Sequence, residues 1–150
     1  MVDVRRFPGS RRLPQFGSAE LERSLAASAI AYRWLPSLGG RRAPKRDSAN
    51  SGWRVEGFRG YADHIETEEF AAGLFELLML AAGLRTTIMC AEALWWRCHR
   101  RLISDVLVSL GVTVGHIRDL TDAIEHEIAS PGRLIAGRLS YATDAQLSLI

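Results

Sequence analysis

The sequence is poor in cysteine and has no long apolar run, and each absence argues against a class of protein. Two cysteines among 150 residues do not make the disulfide framework of a small secreted domain, which favours a reducing compartment. No stretch of about 18 apolar residues occurs, so no membrane-spanning helix is expected. The first residues, MVDVRR, lack the apolar core of a signal peptide. We therefore predict a soluble protein of the cytoplasm.

Acidic residues are scarce in the first part of the chain. Residues 1–60 contain twelve Arg or Lys and five Asp or Glu, whereas residues 61–150 contain seven and twelve. The first part therefore carries +7 and the second −5, and the two sum to the net charge of +2. A basic region of this kind suggests an anionic partner such as a phosphate, a nucleotide or a nucleic acid. A solvated basic surface is the alternative.

What the chain does have is a sufficient apolar content, 47% of 150 residues, for a single α/β domain over residues 1–150. Apolar runs predict strands at residues 2–4, 30–35, 85–90 and 112–117. Apolar periodicity and capping residues predict helices over residues 18–29 and 67–83, a helix ending at Leu110, and a polar helix over residues 120–129. Residues 37–60 form a long polar loop.

The alternation of strands and helices sets the expected fold class. It predicts an α/β fold with a mostly parallel sheet flanked by helices, in a Rossmann-like three-layer arrangement. A small C-terminal extended segment follows over residues 133–141, which resemble either a small hairpin or two short extended pieces around Gly137.

The most unusual segment is residues 88–101, IMCAEALWWRCHRR. It makes Cys90, Glu92 and His99 the candidate catalytic residues. A thiolate at a strand end facing a helix N-terminus can act as a nucleophile, and a glutamate can act as an acid or a base. The alternatives are an inert buried cysteine and a glutamate that only anchors an arginine. The spacing Cys90-x6-Arg97 and the two intervening tryptophans argue against a phosphatase-type loop.

Polar residues follow the end of every predicted strand, where α/β sheets bind their ligands. Arginine suits an anion because its planar guanidinium donates to two phosphate or carboxylate oxygens together. The candidate ligand-binding residues are Asp3, Arg5, Arg6, Arg11, Arg41, Arg42, Arg59, Tyr61, Trp96, Arg97 and Arg100. Some of these arginines could instead form structural ion pairs with Asp3 or Glu92.

Metal binding is the less favoured use of the same segment. Cys90, Cys98, His99 and His116 offer metal-binding atoms, but Cys-x7-Cys is not the close pairing typical of structural zinc. We therefore assign no metal ligands and name no cofactor. Trp95 and Trp96 could stack on a nucleobase. The simpler interpretation is that one of the two tryptophans makes a core contact and the other forms a lid.

Five ordered motifs also point to a known family. They are residues 3–11 (DVRRFPGSR), 35–42 (LPSLGGRR), 58–61 (FRGY), 89–92 with 97–100 (MCAE and RCHR) and 137–141 (GRLSY). Together they resemble the family called domain of unknown function 488, over nearly the whole chain. The resemblance implies a compact bacterial or archaeal α/β domain with no established activity. It also implies an earlier strand and helix before residues 2–4, so we expect this chain to be truncated at its N-terminus.

These observations predict an arginine-rich cleft for an anionic ligand, either a phosphorylated small molecule, a nucleotide or a nucleic acid. We favour an enzyme that uses Cys90 and Glu92. The alternatives are a non-catalytic nucleic-acid-binding module and a thiol-based sensor. If a strand is missing beside residues 2–4, an uncovered sheet edge would let two copies dimerise.

Overall fold

Contacts within the chain group it into two units. The computed structural model describes residues 1–9, 11–119 and 122–143. Unit 1 comprises Met1–Gly40 and Glu66–Ala93, and unit 2 comprises Arg41–Ile65 and Leu94–Ile150. Each unit is therefore built from two separate stretches of chain. The organisation as one domain over residues 1–150 stays a prediction.

The chain contains both helices and strands, which confirms a mixed α/β composition. The helices are α1 (Ser18–Ala26), α2 (Glu56–Ile65), α3 (Glu68–Gly83) and α4 (Arg100–Ser109). The strands are β1 (Val2–Asp3), β2 (Arg33–Trp34), β3 (Ile88–Met89), β4 (Gly115–Ile117), β5 (Ala123–Glu125), β6 (Arg133–Ile135) and β7 (Arg138–Ser140). Within the described residues, no helix has both the length and the apolar character needed to cross a membrane.

Unit 1 contains a parallel three-stranded sheet, which confirms the parallel pairing predicted from the apolar runs. Its order is β2-β1-β3, with Val2 opposite Arg33 and Ile88. The central strand is buried, as parallel strands usually are, and Val2 and the adjacent Val4 are almost inaccessible. Because β1 has a hydrogen-bonded neighbour on each side, the predicted uncovered edge at residues 2–4 is wrong.

Helix α3 of unit 1 begins where its cap was predicted. Thr67 accepts a hydrogen bond from the N–H of Phe70 at 3.2 Å, which satisfies one of the free donors of the first turn. The helix buries Phe70, Gly73 and Leu77. Gly73 allows close packing, because a Cβ there would lie 2.3 Å from Ser37 Oγ. Ala81, near the end of the same helix, is exposed.

Unit 2 combines α2 and α4 with two antiparallel hairpins. Helix α4 buries every residue from Leu102 to Leu107, and Gly111 follows it with a φ of +81°, in agreement with its prediction as the helix stop. The hairpin of β6 and β7 is also confirmed. It turns through Ala136 and Gly137, whose φ values of +48° and +79° are those of a tight hairpin turn.

Three predicted features of unit 2 are wrong. The fourth predicted strand, β4, pairs antiparallel with β5 in a separate two-stranded sheet. The predicted helix over residues 120–129 is therefore replaced in part by β5, and residues 120 and 121 lie outside the described residues. Helix α2 was missed because Gly57 and Gly60 disfavour a helix by propensity. A Rossmann-like three-layer arrangement stays a prediction, since the parallel sheet has three strands.

Candidate functional site

Two predicted ligand residues, Asp3 and Arg5, form a buried ion pair inside unit 1. Arg5 Nε donates to both carboxylate oxygens of Asp3 at 2.8 and 3.0 Å, and Arg5 Nη2 donates to Oδ2 at 2.5 Å. Arg5 Nη1 donates to the carbonyl oxygen of Phe16 at 2.8 Å. Both partners of the pair are buried. The geometry therefore matches the alternative of a structural ion pair.

Tyr32 completes this cluster, and the sequence did not single it out. Its hydroxyl donates to Asp3 Oδ2 at 2.6 Å. Burial and the neighbouring Asp3 carboxylate raise the pKa of Tyr32 to about 12, while the hydrogen bond with Asp3 raises the pKa of Arg5. Tyr32 therefore stays a neutral donor and Arg5 a cation at every ordinary pH.

The other predicted site residues of unit 1 lie in different environments. Arg6 is half-buried, with its guanidinium carbon 5.7 Å from the centre of the Phe7 ring. Arg11 and Glu92 are exposed, and Cys90 is half-buried just after β3. Their roles in ligand binding or catalysis stay predictions.

In unit 2, the buried carboxylate of Asp63 holds a basic loop in place. We define the basic loop as residues 41–54, which carry five cations and one acid. Asp63 accepts from Ser48 Oγ at 2.5 Å, from Asn50 Nδ2 at 2.8 Å and from the N–H of Lys45 at 2.8 Å. Burial alone would raise the pKa of Asp63, but these hydrogen bonds outweigh it and lower the pKa. Asp63 therefore remains an ionised anchor.

The start of the basic loop packs directly on α2. A Cβ at Gly60 would lie 2.2 Å from the carbonyl oxygen of Arg42, so only glycine permits this approach. Arg41 adopts a φ of +59°. Arg59, beside Gly60, is partly exposed and lies 3.8 Å from Glu56. Gly60 of the FRGY motif therefore permits the close approach of the basic loop at Arg42.

Cys98 lies between two predicted site residues. Its Sγ is 3.6 Å from His99 Nδ1, and Arg100 Nε donates to it at 3.4 Å. The thiol is buried, and the ring of Tyr61 packs on His99 at a centroid distance of 4.9 Å. Three predicted residues, Tyr61, His99 and Arg100, thus meet next to a cysteine that the sequence interpretation did not choose as catalytic.

The two tryptophans have different environments. Trp96 is exposed and meets Trp95 edge-on, with ring centroids 5.7 Å apart. Trp95 is half-buried and stacks on His116. Trp95 therefore has the environment expected of the core contact, whereas the role of Trp96 as a lid stays a prediction. The neighbouring Arg97 is exposed.

A chain of four buried polar side chains runs through unit 2. His116 Nε2 lies 2.8 Å from His126 Nδ1, and His126 Nε2 lies 2.8 Å from Asp105 Oδ1. Tyr141 donates its hydroxyl proton to Asp105 Oδ2 at 2.8 Å. All four residues are less than a tenth exposed. We call this set the buried His–Asp chain.

The environment of this chain controls its protonation. Burial, followed by the charges of His126 and Arg100, lowers the pKa of His116 to about 4, although Asp105 acts in the opposite direction. Burial and Asp105 raise the pKa of Tyr141 far above its usual range. His116 is therefore neutral at physiological pH, and Tyr141 is a permanent donor. Both ring nitrogens of His126 are therefore engaged within the chain.

The sequence analysis missed His126, Asp105 and Tyr141 as site residues, although one signal was present. Asp105 interrupts the apolar run LISDVLV of α4, and a charged residue at a core position needs a partner. His126 carries no comparable signal, because it lies in a polar segment that resembled a helix.

An open cavity of about 420 Å³ also lies in unit 2. Its lining consists mainly of small residues and backbone: Gly52, Ser130, Pro131, Gly132, Arg133, Ala142 and Thr143. None of the predicted site residues lines it.

Comparison with known families confirms the resemblance seen in the motifs. The family model described as "Domain of unknown function DUF488" matches residues 1–107, and the chain belongs to this family. No curated protein and no solved structure gave a match. The matched residues include Cys98, Arg100 and Asp105 but end before His116. The family description states no activity.

Proposed function

We propose that unit 2 binds a phosphorylated ligand, a nucleotide or the backbone of a nucleic acid, through the basic loop. The observation that carries this proposal is the anchoring of the loop by Asp63. Three hydrogen bonds from Lys45, Ser48 and Asn50 converge on one buried carboxylate. The loop backbone is therefore held in one shape while its cations face outwards.

The charges of the loop suit an extended anion. Arg41, Lys45, Arg46 and Arg54 are exposed, and each can donate to a phosphate oxygen. A preorganised loop loses little conformational entropy when it binds, which strengthens binding without further contacts. Several cations distributed along one segment favour a nucleic-acid backbone over a single phosphate group.

Binding is best tested with labelled single-stranded DNA and RNA and with ATP, each at several salt concentrations. Arg46→Gln should weaken oligonucleotide binding and reduce the salt slope by about 0.7 for each lost phosphate contact. Arg138→Gln removes an equal charge from an exposed site outside the loop, so it should bind as the parent does. Equal weakening in both variants would indicate a net-charge effect only.

The variant Asp63→Asn distinguishes the effect of the preorganised basic loop on ligand binding from the effect of net charge. The substitution makes the protein more positive, which by itself would strengthen binding to an anion. It also weakens the anchor for Lys45, Ser48 and Asn50, so we expect weaker binding than in the parent protein. Tighter binding by Asp63→Asn would contradict the role of the fixed loop.

Catalysis by Cys90 and Glu92 is a separate proposal for the same protein. It requires that the protein converts a bound ligand into a product. The variants Cys90→Ala and Glu92→Gln should then lose this turnover but still bind the ligand. A ligand that binds reversibly and is recovered unchanged would favour the non-catalytic nucleic-acid-binding module.

A further inference from the structure

The buried His–Asp chain has the form of a proton path and lies apart from the basic loop in sequence. We propose that His116, His126 and Asp105 form an acid–base centre in which His116 exchanges a proton with a ligand and His126 holds it. The hydrogen bonds define which atom donates and which accepts at each step. Arg100 at one end and Asp105 at the other determine where a positive charge is favoured.

The hydrogen bonds define the tautomer of each ring. Asp105 accepts from the Tyr141 hydroxyl and from His126 Nε2, because an ionised carboxylate only accepts. Neutral His126 therefore has a bare Nδ1, which accepts from the Nε2–H of His116. This leaves His116 Nδ1 as the basic nitrogen, and it has no hydrogen-bond partner in the described part of the chain.

A proton taken up at His116 Nδ1 can move inward without any other bond changing. The Nε2 proton of His116 passes to His126 Nδ1, and the chain gains one proton in total. His116 is then neutral with its proton on Nδ1. His126 is an imidazolium that donates to His116 Nε2 and to Asp105. The same steps in reverse return the proton to a ligand.

The charges around the chain favour this inward shift. Arg100 lies close enough to lower the pKa of His116, so a positive charge is disfavoured on that ring. The carboxylate of Asp105 compensates a charge on His126, 2.8 Å away. The groups acting on His116 are His126, Arg100 and Asp105, together with the stacked Trp95. Protonation is therefore disfavoured on His116, whereas a charge on His126 would lie beside the Asp105 carboxylate.

The same surroundings indicate the class of ligand. Trp95 Nε1 is a buried donor without an acceptor in the described residues, and such donors are rare enough to need a reason. Together with the cation of Arg100, it favours an anionic ligand that also carries an exchangeable proton. An anion beside Arg100 would remove part of the charge that disfavours protonation of His116. This ligand class rests on the proposed function, whereas the acid–base centre does not.

Nitrogen NMR of the histidine rings tests the centre in the ligand-free protein. At neutral pH, we expect His116 to carry its proton on Nε2 and His126 on its own Nε2. On acidification, His126 should gain its second N–H while the proton of His116 shifts to Nδ1. If His116 becomes the imidazolium and His126 stays neutral, or if neither ring changes before unfolding, the proposal is overturned.

Two variants separate a proton path from a merely structural hydrogen bond. Asp105→Asn keeps the shape of the side chain but removes the charge, so His126 should no longer take the second proton. Tyr141→Phe removes a hydrogen bond to the same carboxylate and should leave the proton shift intact. Unchanged titration of His126 in Asp105→Asn would refute the role of Asp105. If Asp105→Asn does not fold, the parent and Tyr141→Phe spectra still decide the proposal.

Inorganic phosphate tests the ligand class separately. Added phosphate should raise the pH at which the chain takes up its proton, and Arg100→Gln should abolish this effect. A proton shift that occurs normally but does not respond to phosphate would exclude phosphate-type anions at Arg100 while supporting the acid–base centre. Oligonucleotide binding by the basic loop is measured independently, so the two proposals fail separately.

Discussion

The imidazole of His116 lies parallel to the indole of Trp95, with ring centroids 3.7 Å apart and planes inclined by 3°. His126 meets the same indole edge-on, at 5.4 Å and 76°. Trp95 therefore contacts both histidines of the buried His–Asp chain and keeps water from the face of His116. Burial is the largest cause of the lowered pKa of His116.

The pKa of His116 predicts a loss of stability in mild acid. Its folded value of about 4 lies below the ordinary value of 6.5, so between these limits the unfolded chain binds a proton that the folded chain does not. The contribution is complete above about pH 6.5 and is lost as the pH falls through about 4, with a size on the order of 1–3 kcal/mol. Urea unfolding at several pH values should show this slope, and His116→Gln should lack it. An equal slope in both proteins would contradict the assignment.

Gly60 should tolerate no side chain. In Gly60→Ala, the new Cβ would lie 2.2 Å from the Arg42 carbonyl oxygen, so α2 or the basic loop must move. We expect a loss of about 1–3 kcal/mol in the free energy of unfolding, as for other overpacked sites. Gly57→Ala in the same helix meets nothing within 4 Å and should be neutral or stabilising. Similar effects in both variants would show that helix propensity, not close packing, governs Gly60.

Breaking the ion pair of Asp3 and Arg5 should destabilise the protein strongly. Asp3→Asn leaves the buried Arg5 guanidinium without its counter-charge, which commonly costs about 3–5 kcal/mol. Glu20→Gln removes a carboxylate from an exposed pair with Arg23 and should cost less than about 1 kcal/mol. Thermal unfolding of both variants checks the contrast. A loss of ligand binding with normal stability in Asp3→Asn would instead indicate a functional role for the pair.

Helix α3 exposes apolar side chains that should promote self-association. Phe75 and Met79 are 66% and 60% exposed and lie four residues apart, on one face of the helix. Replacing both with Lys should lower the apparent mass in light scattering at high protein concentration. Leu110→Lys, at an exposed site of unit 2, serves as the control. No difference between the variants and the parent would exclude α3 as an association surface.

Features with a local cause could be predicted from the sequence. The cap at Thr67, the end of α4 before Gly111 and the turn at Gly137 each depend on a few neighbouring residues, and all three are confirmed. The parallel strands at Val2, Arg33 and Ile88 were recognised because each lies in a mostly apolar run of the sequence. The family was recognised because each of its motifs is contiguous in the sequence. Helix α2 was not predicted, because its two glycines disfavour a helix by propensity. Packing against Arg42 stabilises it in the folded protein.

The candidate site was predictable only in part, because its key contacts join distant residues. The sequence by itself determined that Tyr61, His99 and Arg100 were unusual, and that acidic and basic residues were unevenly distributed. Only the tertiary structure decided that β4 pairs with β5, which brings His126 within 2.8 Å of His116. Strand pairing depends on backbone partners elsewhere in the chain, and a polar segment such as residues 122–127 gives no sign of them. For the same reason, the carboxylate of Asp105 acquired its partners His126 and Tyr141 only on folding.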